Sequence, residues 1–195
     1  MPYRYYMFHK PAGCVTALQD KTEKTIMEYF TDIDTTGLRP VGRLDKDTEG
    51  LLLLTDDGKF LQQMTHPDSG IEKTYFFWAM GTPDDAKAAA LAHGITLRGM
   101  ESGTTRPALL TVLETKTLAD VTSFIVGKRR DHILRNRPEH PVFSGHLTLT
   151  EGRKHEVKRL LRGIGCYCIY LKRIRMGDFV LDEALTPGEY KELSK

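Results

Sequence analysis

The stretch Val41–Thr55, VGRLDKDTEGLLLLT, constrains this chain more than any other. Three carboxylates (Asp45, Asp47, Glu49) and two cations (Arg43, Lys46) are packed between Gly42 and Gly50, and Leu51 to Leu54 come next without a polar residue. The pattern is that of a charged loop entering a buried strand. A carboxylate anchored on the lip of such a strand is held rigid and partly dry, as a catalytic acid, base or nucleophile must be. Two plainer readings compete. One is a surface turn between core segments. The other is a calcium loop, since Asp45, Asp47, Glu49, Gly50 and Asp56 fall at positions one, three, five, six and twelve of the EF-hand spacing. Gly37 and Pro40 stand where the entering helix would have to be, which argues against calcium.

The remaining composition narrows the class. No run of eighteen apolar residues occurs, so the sequence predicts no membrane-spanning helix, and the opening MPYRYY lacks a signal-peptide core. Cys14, Cys166 and Cys168 are few and odd in number, which fits a reducing cytoplasm. The net charge of +2 conceals an asymmetry: residues 128–175 carry 13 Lys+Arg against 4 Asp+Glu, a local +9, and the remainder carries −7. A basic segment beside an acidic remainder suits a polyanion, because neutralising phosphates releases counterions. The plain alternative is a solvated charged face.

In chain order, Arg4 to His9 reads as an opening strand and Lys10-Pro11-Ala12-Gly13 as a sharp turn. Val15 to Leu18 extends, and residues 26–30 form a short helix. Asp56 or Asp57 caps a helix from Lys59 to about Met64, ended by His66-Pro67. Residues 72–80 are rich in β-formers and predict a strand. Pro83 to His93 predicts a helix with Thr82 as N-cap. Residues 95–97, 108–113 and 121–126 predict strands, as do 146–150 and 169–176. A helix is expected over 153–162, with Lys154, Lys158 and Arg162 recurring every four residues as a basic stripe. Cys166 and Cys168 read as buried, inert thiols. The loop 127–141 carries Lys128, Arg129, Arg130, Arg135 and Arg137; it lacks a P-loop's glycine and Ser/Thr, and its histidines have no zinc spacing with any cysteine.

Several motifs, in order along nearly the whole chain, resemble those of pseudouridine synthases that act on small- and large-subunit ribosomal RNA. Gly42-Arg43-Leu44-Asp45 followed by Asp47-Thr48-Glu49-Gly50-Leu51-Leu52 is similar to that family's signature loop. The resemblance makes Asp45 the catalytic residue. Lys73-Thr74-Tyr75 is similar to the second motif, K-x-Y, whose tyrosine stacks on the target base, which points to Tyr75. Glu151-Gly152-Arg153-Lys154-His155-Glu156-Val157-Lys158-Arg159 resembles the third, E-G-x-x-x-Q-V-[RK]-R. There the cation after Val pairs with the catalytic Asp, making Lys158 the partner of Asp45 and Arg159 the fallback. Glu156 departs from the commoner Gln and Lys158 from the commoner Arg; a lysine cannot form a bidentate bond. The opening K-P-x-G, the segment Leu171–Phe179 and the P-G-E-Y ending also match family elements.

The resemblance implies an α+β fold: a central, mainly antiparallel sheet with flanking helices and an active-site cleft. It implies one catalytic domain over residues 1–195, with two subdomains around the Asp45 cleft as a variant of that reading. It also implies a stand-alone catalytic part without the S4-type N-terminal RNA-binding module, or a shortened chain, working as a monomer in the cytoplasm without membrane contact. The reaction cleaves the C–N glycosidic bond, turns the base and joins C5 to the sugar, so it needs no cofactor and no metal. Asp45 attacks the substrate or takes a sugar proton, an adjacent Lys158 keeps it ionised, and Arg43 fills the space vacated by a flipped nucleotide. RNA contacts are expected from Arg43, Lys73, Lys128, Arg129, Arg130, Lys154, Arg159 and Arg162. The alternative is a non-catalytic RNA-binding assembly factor using the basic 128–175 face. Reversing Arg129 and Arg130 to Glu is expected to weaken RNA binding and flatten its salt dependence in filter-binding titrations; unchanged binding would remove that loop from the interface.

Overall fold

The computed structural model describes residues 2–99, 103–125 and 137–194. Its first elements are β1 (Tyr5–Lys10), β2 (Arg39–Pro40), β3 (Glu49–Thr55), α1 (Gly58–Thr65), β4 (Lys73–Met80) and α2 (Asp85–His93). Next come β5 (Thr96–Leu97), β6 (Gly103–Thr104), β7 (Leu109–Thr117), β8 (Pro141–Leu149), α3 (Glu156–Gly163), β9 (Tyr167–Met176), β10 (Phe179–Val180) and β11 (Tyr190–Glu192). The fold is α+β with a large, mainly antiparallel sheet of nine strands, and β5–β6 form a separate ribbon. The chain divides into two compact units, residues 1–73 with 172–195 and residues 74–171, so the boundaries fall at the start of β4 and inside β9.

In the first unit the strand order is β11-β1-β3-β9, with β2 on β3 and β10 on β9. The β1–β3 ladder is antiparallel, from Tyr5↔Thr55 to Lys10↔Gly50, and β3 meets β9 in parallel at Glu49↔Lys172 and Gly50↔Arg173. All six residues of β1 and Gly50–Thr55 of β3 are buried, which explains an apolar run with no alternation. On one face Met7, Leu51 and Leu53 pack with Val41, Met64, Met176 and Leu181. On the other, Tyr6 and Phe8 stand beside Leu54 and Leu52 and meet Phe30, which stacks on Tyr190 with ring centroids 4.4 Å apart. Asp57 caps α1, its carboxylate accepting from the Lys59 and Phe60 amides at 3.0 and 3.1 Å.

In the second unit the order is β9-β4-β8-β7. Trp78, Leu118, Val121, Ile125 and Val142 form its core cluster. The short helix expected at residues 26–30 is a 3-10 helix over Ile26–Tyr29. Four sequence expectations need correction. The 121–126 strand is replaced by a 3-10 turn over Ala119–Phe124, because the Asp120 carboxylate accepts from the Thr117 amide and hydroxyl, and Leu118, Val121 and Ile125 bury at helical spacing. Asp84, not Thr82, caps α2: its carboxylate accepts from the Lys87 amide at 2.7 Å. The third helix begins at Glu156, three residues later than expected, because His155 adopts a left-handed conformation (φ 53°) that a regular helix cannot include. Cys166 is buried but Cys168 is half-exposed, with its thiol donating to Tyr170 O at 3.3 Å.

Gly50 is the tightest point of the first unit. Its φ is +103°, and a Cβ there would lie 2.2 Å from Arg173 O and 2.8 Å from Arg173 N. Gly50→Ala must therefore part β3 from β9 as well as strain the backbone. The expected cost is roughly 3 kcal/mol or more, lowering the melting midpoint by about 6–12 °C; a loss within 2 °C in calorimetry would contradict the close approach.

Candidate active site

The site rests on the pairing of Lys10 with Gly50 and of Gly50 with Arg173. Side chains at paired positions share a face, so Lys10, Gly50 and Arg173 form one row at the head of β3. Gly50 contributes no side chain to that row, and both cations beside it are buried, Lys10 at 0% and Arg173 at 1% exposure. The Lys10 ammonium donates to the carbonyls of Pro11 (3.0 Å), Asp45 (3.1 Å), Lys46 (3.5 Å) and Thr48 (2.9 Å). A buried charge of this kind is costly unless it is fully solvated by fixed dipoles, and here the loop backbone is the solvent. Burial lowers the Lys10 pKa from its ordinary value, and the nearby Cys14, Asp47, Asp45 and Glu49 oppose that shift.

Other bonds complete the cradle. Gly13 N donates to Lys46 O at 2.7 Å and Thr48 N to Asp45 O at 3.1 Å. The Thr16 hydroxyl donates to Leu44 O at 2.8 Å and lies 3.1 Å from the Leu44 amide, bracketing the residue before Asp45. Leu44 is buried and Arg43 is exposed, so the two side chains leave the loop in different directions. Asp45 is half-buried. The result is a carboxylate whose backbone is fixed at its own carbonyl by two donors. Arg173 reinforces the strand behind it, Nε donating to Leu51 O at 2.8 Å, while Nη2 is buried without a hydrogen-bond partner among the described residues.

The residues expected from sequence fall into both units. Arg43 and Asp45 share one loop of the first unit, and Lys73, at its boundary, donates its ammonium to Ile71 O at 3.1 Å. Tyr75 is buried on β4 of the second unit. Lys158, Arg159 and Arg162 ride on α3 of that unit; Lys154 precedes the helix, so the four-residue basic stripe reduces to Lys158 and Arg162. Lys158 is half-buried and Lys154 and Arg162 are exposed. Arg159 directs its guanidinium to Lys154 O (3.5 Å) and Arg98 O (3.3 Å). Lys128, Arg129 and Arg130 lie outside the described residues.

Sequence reasoning misses Lys10, Thr16 and Arg173. Lys10 reads as part of a turn, yet a lysine closing a strand of uniformly apolar and aromatic character is a usable signal. The same holds for Arg173, set among Leu171, Ile174 and Met176.

A rigid carboxylate loop of this sequence, on this sheet, defines a class. The family model described as RNA pseudouridylate synthase matches residues 4–162, and the chain belongs to that family: it is an RNA pseudouridine synthase. Ribosomal small subunit pseudouridine synthase A of Haemophilus influenzae is 37% identical over 193 residues, 98% of this chain and 71% of that protein. The synthase of the same name from Escherichia coli K12 is 32% identical over 192 residues, again 98% of this chain and 71% of that protein. A crystal structure of a pseudouridylate synthase superposes with a TM-score of 0.78 at 36% identity, covering 99% of this chain and 71% of that one. Human RNA pseudouridylate synthase domain containing 1, at 15% identity and TM-score 0.59 over 94% of this chain and 80% of that one, shares the fold.

Lys10→Met keeps the stem of the side chain and removes its ammonium, leaving several buried carbonyls without their donor. The expected loss is roughly 2–4 kcal/mol in urea denaturation. A variant as stable as the parent would mean that the ammonium does not hold the loop.

Proposed function

We propose that this enzyme isomerises a particular uridine of small-subunit ribosomal RNA to pseudouridine, with Asp45 as the nucleophile or base acting on a nucleotide turned out of its stack. The observation that carries the reading is the immobilised Asp45 loop, in a chain whose curated relatives bear the name of ribosomal small subunit synthases. The C1′–N1 bond breaks, the uracil turns, a C1′–C5 bond forms, and the proton displaced from C5 is balanced by one gained at N1. No atom or electron enters from outside, so the protein's task is positioning and electrostatics.

In this reading Lys158 supplies the positive charge that partners the Asp45 carboxylate, and Tyr75 covers one face of the uracil. Arg43, exposed beside Asp45, occupies the space that the turned-out nucleotide leaves. Lys73, Lys128, Arg129, Arg130, Lys154, Arg159 and Arg162 meet phosphates, consistent with the local +9 over residues 128–175. The enzyme works as a monomer in the cytoplasm, where assembling ribosomal RNA is found.

Asp45→Asn is nearly isosteric and removes only the charge and the nucleophile. Modification of a small-subunit RNA transcript is expected to fall by at least about 10³-fold, while RNA affinity stays within about threefold. Modification at the parent rate would overturn the role of Asp45. Loss of affinity in step with activity would mean that Asp45 binds without catalysing.

A further inference from the structure

The turn before α3 contains a carboxyl pair to which the isomerisation assigns no part. Glu156 is the first residue of α3, is 5% exposed, and reaches back so that its Oε2 accepts from Arg153 N at 2.9 Å, while its own amide donates to Arg153 O at 3.2 Å. These two bonds close a ring around residues 153–156. The ring contains His155, the single described non-glycine residue with positive φ, and the carbonyl of His155 accepts from Arg159 N at 3.0 Å in the first turn of the helix. Strained backbone of this kind persists only where its surroundings hold it.

The surroundings are anionic. Glu151 accepts from Arg106 N at 2.8 Å through Oε1 and from Arg153 Nε at 3.0 Å through Oε2. Arg153 continues to Thr104 O at 2.7 Å and Gly103 O at 3.4 Å. The charged groups acting on Glu156 include Glu151 and Arg153 from its own turn, and the Arg106 amide reaches Glu151 from the segment after β6. Glu156 Oε1 is buried and accepts no hydrogen bond from any described residue, and the Glu151 carboxyl is close enough to share a proton with Glu156. An ionised Glu156 would be desolvated beside a second negative charge, whereas a protonated carboxyl or a glutamine amide can donate to the Glu151 carboxylate.

We propose that Glu156 is a positioning residue: its carboxyl, clasped to Arg153 and opposed by Glu151, fixes the strained start of α3 and thereby the direction of Lys158 two residues on. The proposal rests on the reading of Lys158 as partner of Asp45. Burial, with the hydrogen bond and like charge of Glu151, raises the Glu156 carboxyl to about 8. Burial also pushes Glu151 upward, but its interactions with Glu156, the Arg106 amide and Arg153 outweigh that and leave it below its ordinary value. Glu156 therefore carries its proton at neutral pH and loses it in the mildly alkaline range. Deprotonation sets two carboxylates against each other at the turn and loosens the ring that aims Lys158.

This proton gives stability a definite pH dependence. The folded state holds it more tightly than the unfolded chain, whose glutamate titrates near 4.5. The stabilisation from protonation is complete below pH 4.5, declines between there and about 8, and is gone above. Glu156→Gln has no proton to lose, so its melting midpoint is expected to match the parent near pH 4.5 and to exceed it progressively up to about pH 8.

The test pairs that melting series with kcat measured from pH 6 to 10 on the same RNA for the parent, Glu156→Gln, Glu156→Ala and Glu151→Gln. Parent kcat is expected to fall above pH 8, approaching about tenfold per pH unit, with KM little changed. Glu156→Gln is expected to lack that limb, and Glu156→Ala to be impaired at every pH. Removing the like charge with Glu151→Gln is expected to move the limb to lower pH, an arm that survives if Glu156→Ala fails to fold. Alkaline loss from the substrate's own ionisation is common to all variants, so the difference between parent and Glu156→Gln isolates this group. Parallel pH profiles for those two would overturn the positioning role, and parallel melting series would overturn the buried proton. Failure of the Asp45 and Lys158 reading is separable, because an active Asp45→Asn would sink that reading while leaving the melting series intact.

Discussion

One buried ammonium organises the first unit. Lys10 ends a strand of buried residues and is itself closed to solvent, so its charge is met by the carbonyls of Pro11, Asp45, Lys46 and Thr48. An ammonium demands several acceptors at once, and a loop that supplies them has little freedom left. The polar loop before β3 is thereby turned into a fixed support for Asp45. A rigid scaffold below a reacting group saves the cost of ordering it during reaction, which is how positioning lowers a barrier.

That arrangement needs β3 to be buried on both sides, and Gly50 makes this possible. With no Cβ at position 50, the backbone of β3 comes close against Arg173, and two cations can share the row on either side of an empty position. Leu51 and Leu53 then fill the aliphatic core on one face while Leu52 and Leu54 stand among aromatics on the other. The Asp45 loop is fixed from beneath by charge and from behind by packing. The second unit solves a similar problem by other means: the motif bearing Lys158 starts its helix through a strained His155, held by a carboxyl in place of an ammonium.

Much of this is legible in the sequence, for identifiable reasons. Leu51–Leu54 predicts a buried strand because an unbroken apolar run leaves few alternatives, and the pair Asp56-Asp57 predicts a helix start, where the structure gives the cap to Asp57, whose carboxylate accepts from two orphan amides. Periodicity fails where a local bond outcompetes it. Residues 121–126 look like a strand by composition, but Asp120 pulls the chain into a 3-10 turn. The basic stripe through Lys154 assumes a helix that His155 interrupts. The role of Lys10 is hidden because a lysine beside Pro-Ala-Gly reads as solvated, and only the carbonyls arriving from residues 45–48 reveal otherwise. The chemistry itself comes from motif resemblance; no spacing of carboxylates alone separates a synthase loop from a plain turn.

If Lys10 holds the Asp45 loop, that loop is as rigid as the strand it feeds, and native-state hydrogen exchange reads this directly. The amides of Gly13 and Thr48, which donate to Lys46 O and Asp45 O, are predicted to exchange only with opening of the β1–β3 ladder, at rates matching those of Leu52 and Leu53. Exchange at those two amides close to that of an exposed loop, with the strand still protected, would contradict a loop immobilised by the buried ammonium.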